Sequence, residues 1–125
     1  GEVGSGQSVT ALYEVAVTGD ESEPLGTVRV RFRDTQGGPV REIERRIGGR
    51  PDWGEFEQAD PGFRLAAAAA EYAEILRASP FAEDSSLEAV AKVLRPLAME
   101  WSLDPRVPEL LRLVQASRGL PRSKE

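Results

Sequence analysis

The sequence predicts an α+β fold with its strands first and its helices second. Three observations carry the prediction. Apolar residues recur every second position through the first half, and every third or fourth position through the second half. A stretch rich in chain breakers, GGRPDWGEFEQAD, separates the two patterns. Strands grouped before helices argue against alternating βαβ units with a parallel sheet.

The first element is read from SVTALYEVAV. Val9, Ala11, Tyr13, Val15 and Val17 alternate with Thr10, Leu12, Glu14 and Ala16, which predicts a half-buried strand over roughly 8–18. GDESEPLG follows as a turn. GTVRVRFRD alternates again, with Val28, Val30 and Phe32 on one side and Arg29, Arg31 and Arg33 on the other, a strand over 26–34. DTQGGP is a strong turn signal. VREIERRIG then gives a third strand over 40–47, with Ile43 and Ile47 together on one side. Short connections favour neighbours, so the three strands are expected as an antiparallel meander.

The helical half opens at Asp60, a candidate N-cap, with Pro61 in the first turn. Leu65, Ala68, Ala69, Tyr72, Ile75 and Leu76 share one face of a helix over 61–78, which Ser79-Pro80 stops. Ser85 with Glu88 three residues later reads as a capping box for a second helix over 85–101. Its stripe is Leu87, Val90, Ala91, Leu94, Leu97, Ala98 and Trp101. Pro96 lies inside that pattern, where it is expected to kink or interrupt the helix. A third helix over 105–118 places Leu110, Leu111 and Val114 inward. The three helices are expected to pack on one face of the sheet. The chain is read as one domain over 1–125, with a β-rich half at 1–50, a link at 51–60, a helical half at 61–118 and a polar tail at 119–125. It begins at Gly1 and its sole methionine is Met99, so a fragment of a larger protein is expected.

Composition narrows the chemistry. The net charge is -5, with acids and bases interspersed, and this lacks the basic footprint of a nucleic-acid binder. There is no cysteine and no histidine, which removes disulfides, Cys nucleophiles, Ser-His triads and zinc sites built on those ligands. No run approaches the roughly 18 apolar residues of a membrane span. GSGQSV lacks the third glycine of a dinucleotide loop and leads into a predicted strand, so it reads as a turn and not as a phosphate cradle. DESEP, from Asp20 to Pro24, approaches an Asp-x-Ser-x-Ser metal motif but carries proline at its last position. Asp20, Glu21 and Glu23 read as a solvated acidic loop. No catalytic, cofactor-binding or metal-binding residue is therefore assigned, and no cofactor is expected.

The residues singled out are contact candidates. Arg29, Arg31 and Arg33 form a stripe, with Arg41, Arg45 and Arg46 nearby. Residues 1–50 hold seven arginines against eight acids, so cross-strand pairs with Glu14, Glu42 or Glu44 are the plain explanation. A protein-binding surface is the functional one. Trp53 in the link would mark a docking site if exposed. Tyr13, Phe63 and Tyr72 are noted as packing or contact positions.

Two strings together, GSGQSVTALYEV and GFRLAAAAAEYAEILRASPF, resemble the C-terminal domain of YfbK-type bacterial proteins that carry a von Willebrand factor A domain. VRVRFRD and ELLRLVQAS fall in the family's order, and the resemblance spans roughly residues 2–118. Gln7 stands where the family pattern has His, and Pro96 and WSLDPRVP depart from it. The family's region has no assigned catalytic residue. The resemblance implies a non-catalytic accessory domain that follows an A domain and contacts protein. Its partners would include that A domain, with a homodimer through the sheet edge as a further expectation. No direct membrane insertion is expected. It implies a bacterial origin and a tie to the cell envelope through the parent chain. The alternative is a small domain binding an anionic ligand or nucleic acid on the arginine-rich strand face.

Overall fold

A computed structural model describes residues 3–4, 6–16, 18, 24–34, 37–48 and 54–119. The chain divides into two compact units, Gly1–Trp53 and Gly54–Glu125, and the boundary falls inside the breaker-rich link. The arrangement is α+β, an antiparallel sheet followed by three helices.

In the first unit, β1 (Gly26–Arg33) pairs antiparallel with β2 (Val40–Ile47) in a two-stranded sheet. Gly26 lies opposite Ile47 and Arg33 opposite Val40. The Leu25 amide extends the ladder by donating to the Ile47 carbonyl at 3.0 Å. The connection turns at Asp34, whose carbonyl accepts from the Gly37 amide at 3.1 Å. Gly37 has φ +71°, a value a side chain would strain, so glycine is needed there.

The strand expected over 8–18 is not formed. Among the described residues, 7–16 have no regular secondary structure, and the sheet has two strands and not three. Val9, Tyr13 and Val15 are 71, 85 and 61 % exposed. Alternation states which face a strand would bury. It does not supply the neighbouring edge that a strand needs for its hydrogen bonds. The strands that do form are also not half-buried, because every residue of β1 and β2 is exposed.

The second unit holds the core. α1 (Pro61–Leu76) starts as the sequence predicts, with the Asp60 carboxylate accepting from the Gly62 and Phe63 amides at 2.8 and 3.3 Å. It ends in a Schellman motif. The Ser79 amide donates to the Glu74 carbonyl at 3.0 Å and the Ala78 amide to the Ile75 carbonyl at 3.2 Å. Ala78 occupies the left-handed position of that motif, φ 51°. A short 3-10 turn, Pro80–Ala82, follows.

α2 (Leu87–Glu100) is capped by Ser86, not by Ser85. The Ser86 hydroxyl accepts from the Ala89 amide at 3.1 Å, which shifts the start by one residue and breaks the expected capping box. Glu88, one turn position too early to reach back, pairs instead with Arg95 at 2.8 Å. The helix runs through Pro96 without interruption. α3 (Arg106–Ser117) completes the unit.

Val90, Ala91, Leu94 and Val114 are fully buried and form the centre of the core with Ala68, Ile75 and Ala82. Leu97 and Val107 are buried too. The predicted faces hold for α1 and α2 except at Leu76, which lies at the last turn of α1 and is 58 % exposed. Tyr72 reaches from α1 to α3, its hydroxyl 2.7 Å from Ser117 Oγ. Ser117 gives its own proton to the Leu113 carbonyl at 2.9 Å, so Tyr72 is the donor between them.

Candidate functional site

The antiparallel register sorts the hairpin into two faces, since residues directly opposite share a side. Arg29 faces Glu44 and Arg31 faces Glu42, with Thr27, Arg33, Val40 and Arg46 on the same side. Arg29 Nε donates to Glu44 at 3.1 Å and lies 3.9 Å from Glu42, while Arg31 Nε is 3.6 Å from Glu42. The arginine stripe is thus interleaved with carboxylates. These side chains are about half exposed or more, so the pairs contribute little stability, ~0–1 kcal/mol each.

The other face carries the apolar residues, together with Arg41 and Arg45. Val30 lies opposite Ile43, Val28 opposite Arg45, Phe32 opposite Arg41 and Gly26 opposite Ile47. Val28, Val30, Phe32, Ile43 and Ile47 together form a patch that remains accessible. Arg41 bounds it, its guanidinium 5.6 Å from the centre of the Phe32 ring and its far side 3.5 Å from Asp34. That arrangement is a cation–π contact at the patch edge.

The contact candidates distribute as follows. Arg29, Arg31 and Arg33 share the polar face of the hairpin, and Trp53 lies outside the described residues, as do Asp20, Glu21 and Glu23. Phe63 packs edge-on against Phe56, ring centres 6.1 Å apart, and Tyr72 is spent on Ser117. The Gly4–Gln7 segment closes as a turn. The Gln7 amide donates to the Gly4 carbonyl at 3.1 Å, and the Gln7 side-chain oxygen accepts from the Gly4 amide at 2.8 Å. Those amides are occupied within the turn, as the reading of GSGQSV as a turn requires. The apolar face of the hairpin is visible in the sequence as the partner of the arginine stripe, but alternation predicts a half-buried strand and the face is exposed.

Among the described residues, three carboxylates are shifted, all downward. The Ser79 hydroxyl and Arg77 hold Glu74 below its ordinary range. Arg95, with Arg118 adding its charge, does the same for Glu88. The Arg106 side chain and backbone amide hold Asp104 at about 2. This is the direction an ion pair produces, opposite to that of a carboxyl raised for general-acid work. Among the described residues, no group of three or more acidic side chains is placed to hold a metal ion. Among the described residues, no helix is long and apolar enough to cross a membrane.

The sequence matches a family model over residues 1–120, described as the C-terminal region of the uncharacterized protein YfbK. The chain belongs to that family. The match covers both the hairpin unit and the helical unit, so the two patterns read along the chain fall within one family region. No curated protein and no solved structure matches the chain.

Proposed function

We propose that the chain is a non-catalytic accessory domain that follows a von Willebrand factor A domain in a bacterial protein and contacts protein through its hairpin. One observation supports this most: the accessible apolar face made by Val28, Val30, Phe32, Ile43 and Ile47 on a sheet of only two strands. A two-stranded sheet is marginal by itself and gains stability when a further strand or surface covers it. The preceding A domain of the parent chain is the occupant this reading names, and the resemblance to YfbK-type proteins supports that choice. A tie to the cell envelope would come through the parent. Arg29 and Arg31 interleaved with Glu42 and Glu44 weigh against an anionic ligand on the opposite face.

Hydrogen exchange of the strand amides tests the proposal, comparing the 125-residue chain alone with the same chain joined to its A domain. The joined protein is expected to protect residues 28–32 and 41–45, and a Val30→Glu, Ile43→Glu pair to remove the gain. Sedimentation across a concentration range separates cover by an A domain from cover by a second copy at the sheet edge. Equal exchange in both forms, with a monomer throughout, sinks the reading.

A further inference from the structure

The helical unit contains a groove of about 260 Å³ between the start of α1 and one face of α2. Phe56, Ala89, Val93 and Pro96 give it mostly apolar walls, and Arg64, Lys92 and Glu57 supply its charges, one positive charge in excess. Ala89, Lys92, Val93 and Pro96 stand at successive steps of three and four, so they share one side of α2.

One donor there lacks its usual partner. Arg64 Nε is buried and, among the described residues, no hydrogen-bond acceptor reaches it. A buried guanidinium donor left unmade is costly, and native structures seldom keep one without a water, an ion or a ligand to accept from it.

We propose that this groove binds a small organic acid, a single carboxylate carried on an apolar stem. The stem lies along Phe56, Ala89, Val93 and Pro96. The carboxylate accepts from Arg64 Nε and an adjoining guanidinium N–H in the forked geometry that suits the group, with the Lys92 ammonium adding charge. Glu57 on the same lining repels a dianion such as phosphate more than a monoanion, which selects the singly charged acid. This inference stands on the helical unit and does not depend on the hairpin reading.

The test uses the full 125-residue chain, nitrogen-15 labelled and titrated with octanoate, octanol and acetate. Octanoate is expected to give saturable shifts at the Ala89, Lys92 and Val93 amides and at the Arg64 Nε–Hε signal. Octanol, which keeps the stem, and acetate, which keeps the charge, are each expected to bind about tenfold more weakly or worse. Arg64→Gln is expected to weaken octanoate by about tenfold, and Lys92→Gln by less because its ammonium is exposed. Lys92→Gln alters an exposed side chain, so it keeps the test decisive should the Arg64 variant fail to fold. Equal affinity for octanol, unchanged affinity in both variants, or no saturable shift at Arg64 Nε overturns the proposal.

Discussion

The hairpin and the helical unit are built from sequence patterns of similar clarity and reach opposite outcomes. β1 and β2 carry Val28, Val30, Phe32, Ile43 and Ile47 on one side and bury none of them. α1, α2 and α3 carry a similar density of apolar residues and bury Val90, Ala91, Leu94, Leu97 and Val114 completely. The difference lies in what each element can pack against within its own unit. Three helices close around one another, whereas among the described residues the first unit supplies no third strand or helix to cover its two strands. Periodicity therefore reports the side of an element that prefers to leave water. Burial follows only if the topology supplies a second surface.

The sharpest way to break that comparison is to delete similar side chains from both units. Leu94→Ala is expected to cost the helical unit about 3 kcal/mol, the transfer term plus the cavity left in a closed core. Ile43→Ala removes a side chain of the same size from a residue 57 % exposed, and is expected to change stability by less than about 0.5 kcal/mol. Urea unfolding followed by circular dichroism, with the strand signals tracked separately by hydrogen exchange, compares the two. Similar costs would mean that the apolar face of the hairpin is already packed in the isolated chain, and the contrast would collapse.

Much of the helical unit was legible in the sequence because its determinants are local. Asp60 with Pro61 marks the start of α1, Ser79-Pro80 marks its end, and the three- and four-residue steps name Val90, Leu94 and Val114 as inward. Ser85 and Ser86 show the limit of that legibility. Either hydroxyl could cap α2, and the choice of Ser86 depends on where the chain leaves the Pro80–Ala82 turn, a matter of path. Pro96 is similar: the missing bond is certain from the sequence, but whether the helix breaks depends on packing, and Val90, Leu94 and Leu97 hold it as one helix. The failed strand at 8–18 has a different cause: alternation names the face a strand would bury but does not dictate pairing, and residues 7–16 join neither strand of the hairpin. At the groove, Arg64 had no signal in the sequence. Its importance arises from burial of Nε between a helix start and a facing helix, which no local pattern encodes.

A smaller effect sharpens the account of how the helices are joined. Tyr72 sends its proton to Ser117, and Ser117 sends its own to Leu113, so the two bonds form one chain from α1 into α3. Tyr72→Phe keeps the ring and its packing and removes only the first bond. It is expected to cost about 1 kcal/mol, the net value of a part-buried hydrogen bond. Thermal unfolding checks it. No loss at all would show that the aromatic contact alone ties the helices, leaving apolar packing as the sole difference between the two units.

The smallest effect concerns acid, and its sign can be worked out in advance. Arg106 holds the Asp104 carboxyl at about 2, below its ordinary value of 3.8. Between those values the unfolded chain binds a proton that the folded chain does not, so stability rises with pH across that interval. The contribution is therefore fully present above pH 3.8 and is lost as the pH falls toward 2. Asp104→Asn removes the titrating group and keeps an oxygen able to accept from the Arg106 amide, a bond of 3.1 Å in the native protein. The variant is expected to lose less stability than the native chain between pH 4 and pH 2, read from urea midpoints at intervals across that range. Glu74, depressed by the Ser79 hydroxyl and Arg77, and Glu88, depressed by Arg95, keep some acid sensitivity in the variant, so the slope is expected to become shallower without vanishing. An unchanged slope would mean that the Asp104–Arg106 pair persists in the unfolded chain. That outcome is physically reasonable for residues two positions apart, and it would remove this pair from the features that distinguish the folded helical unit.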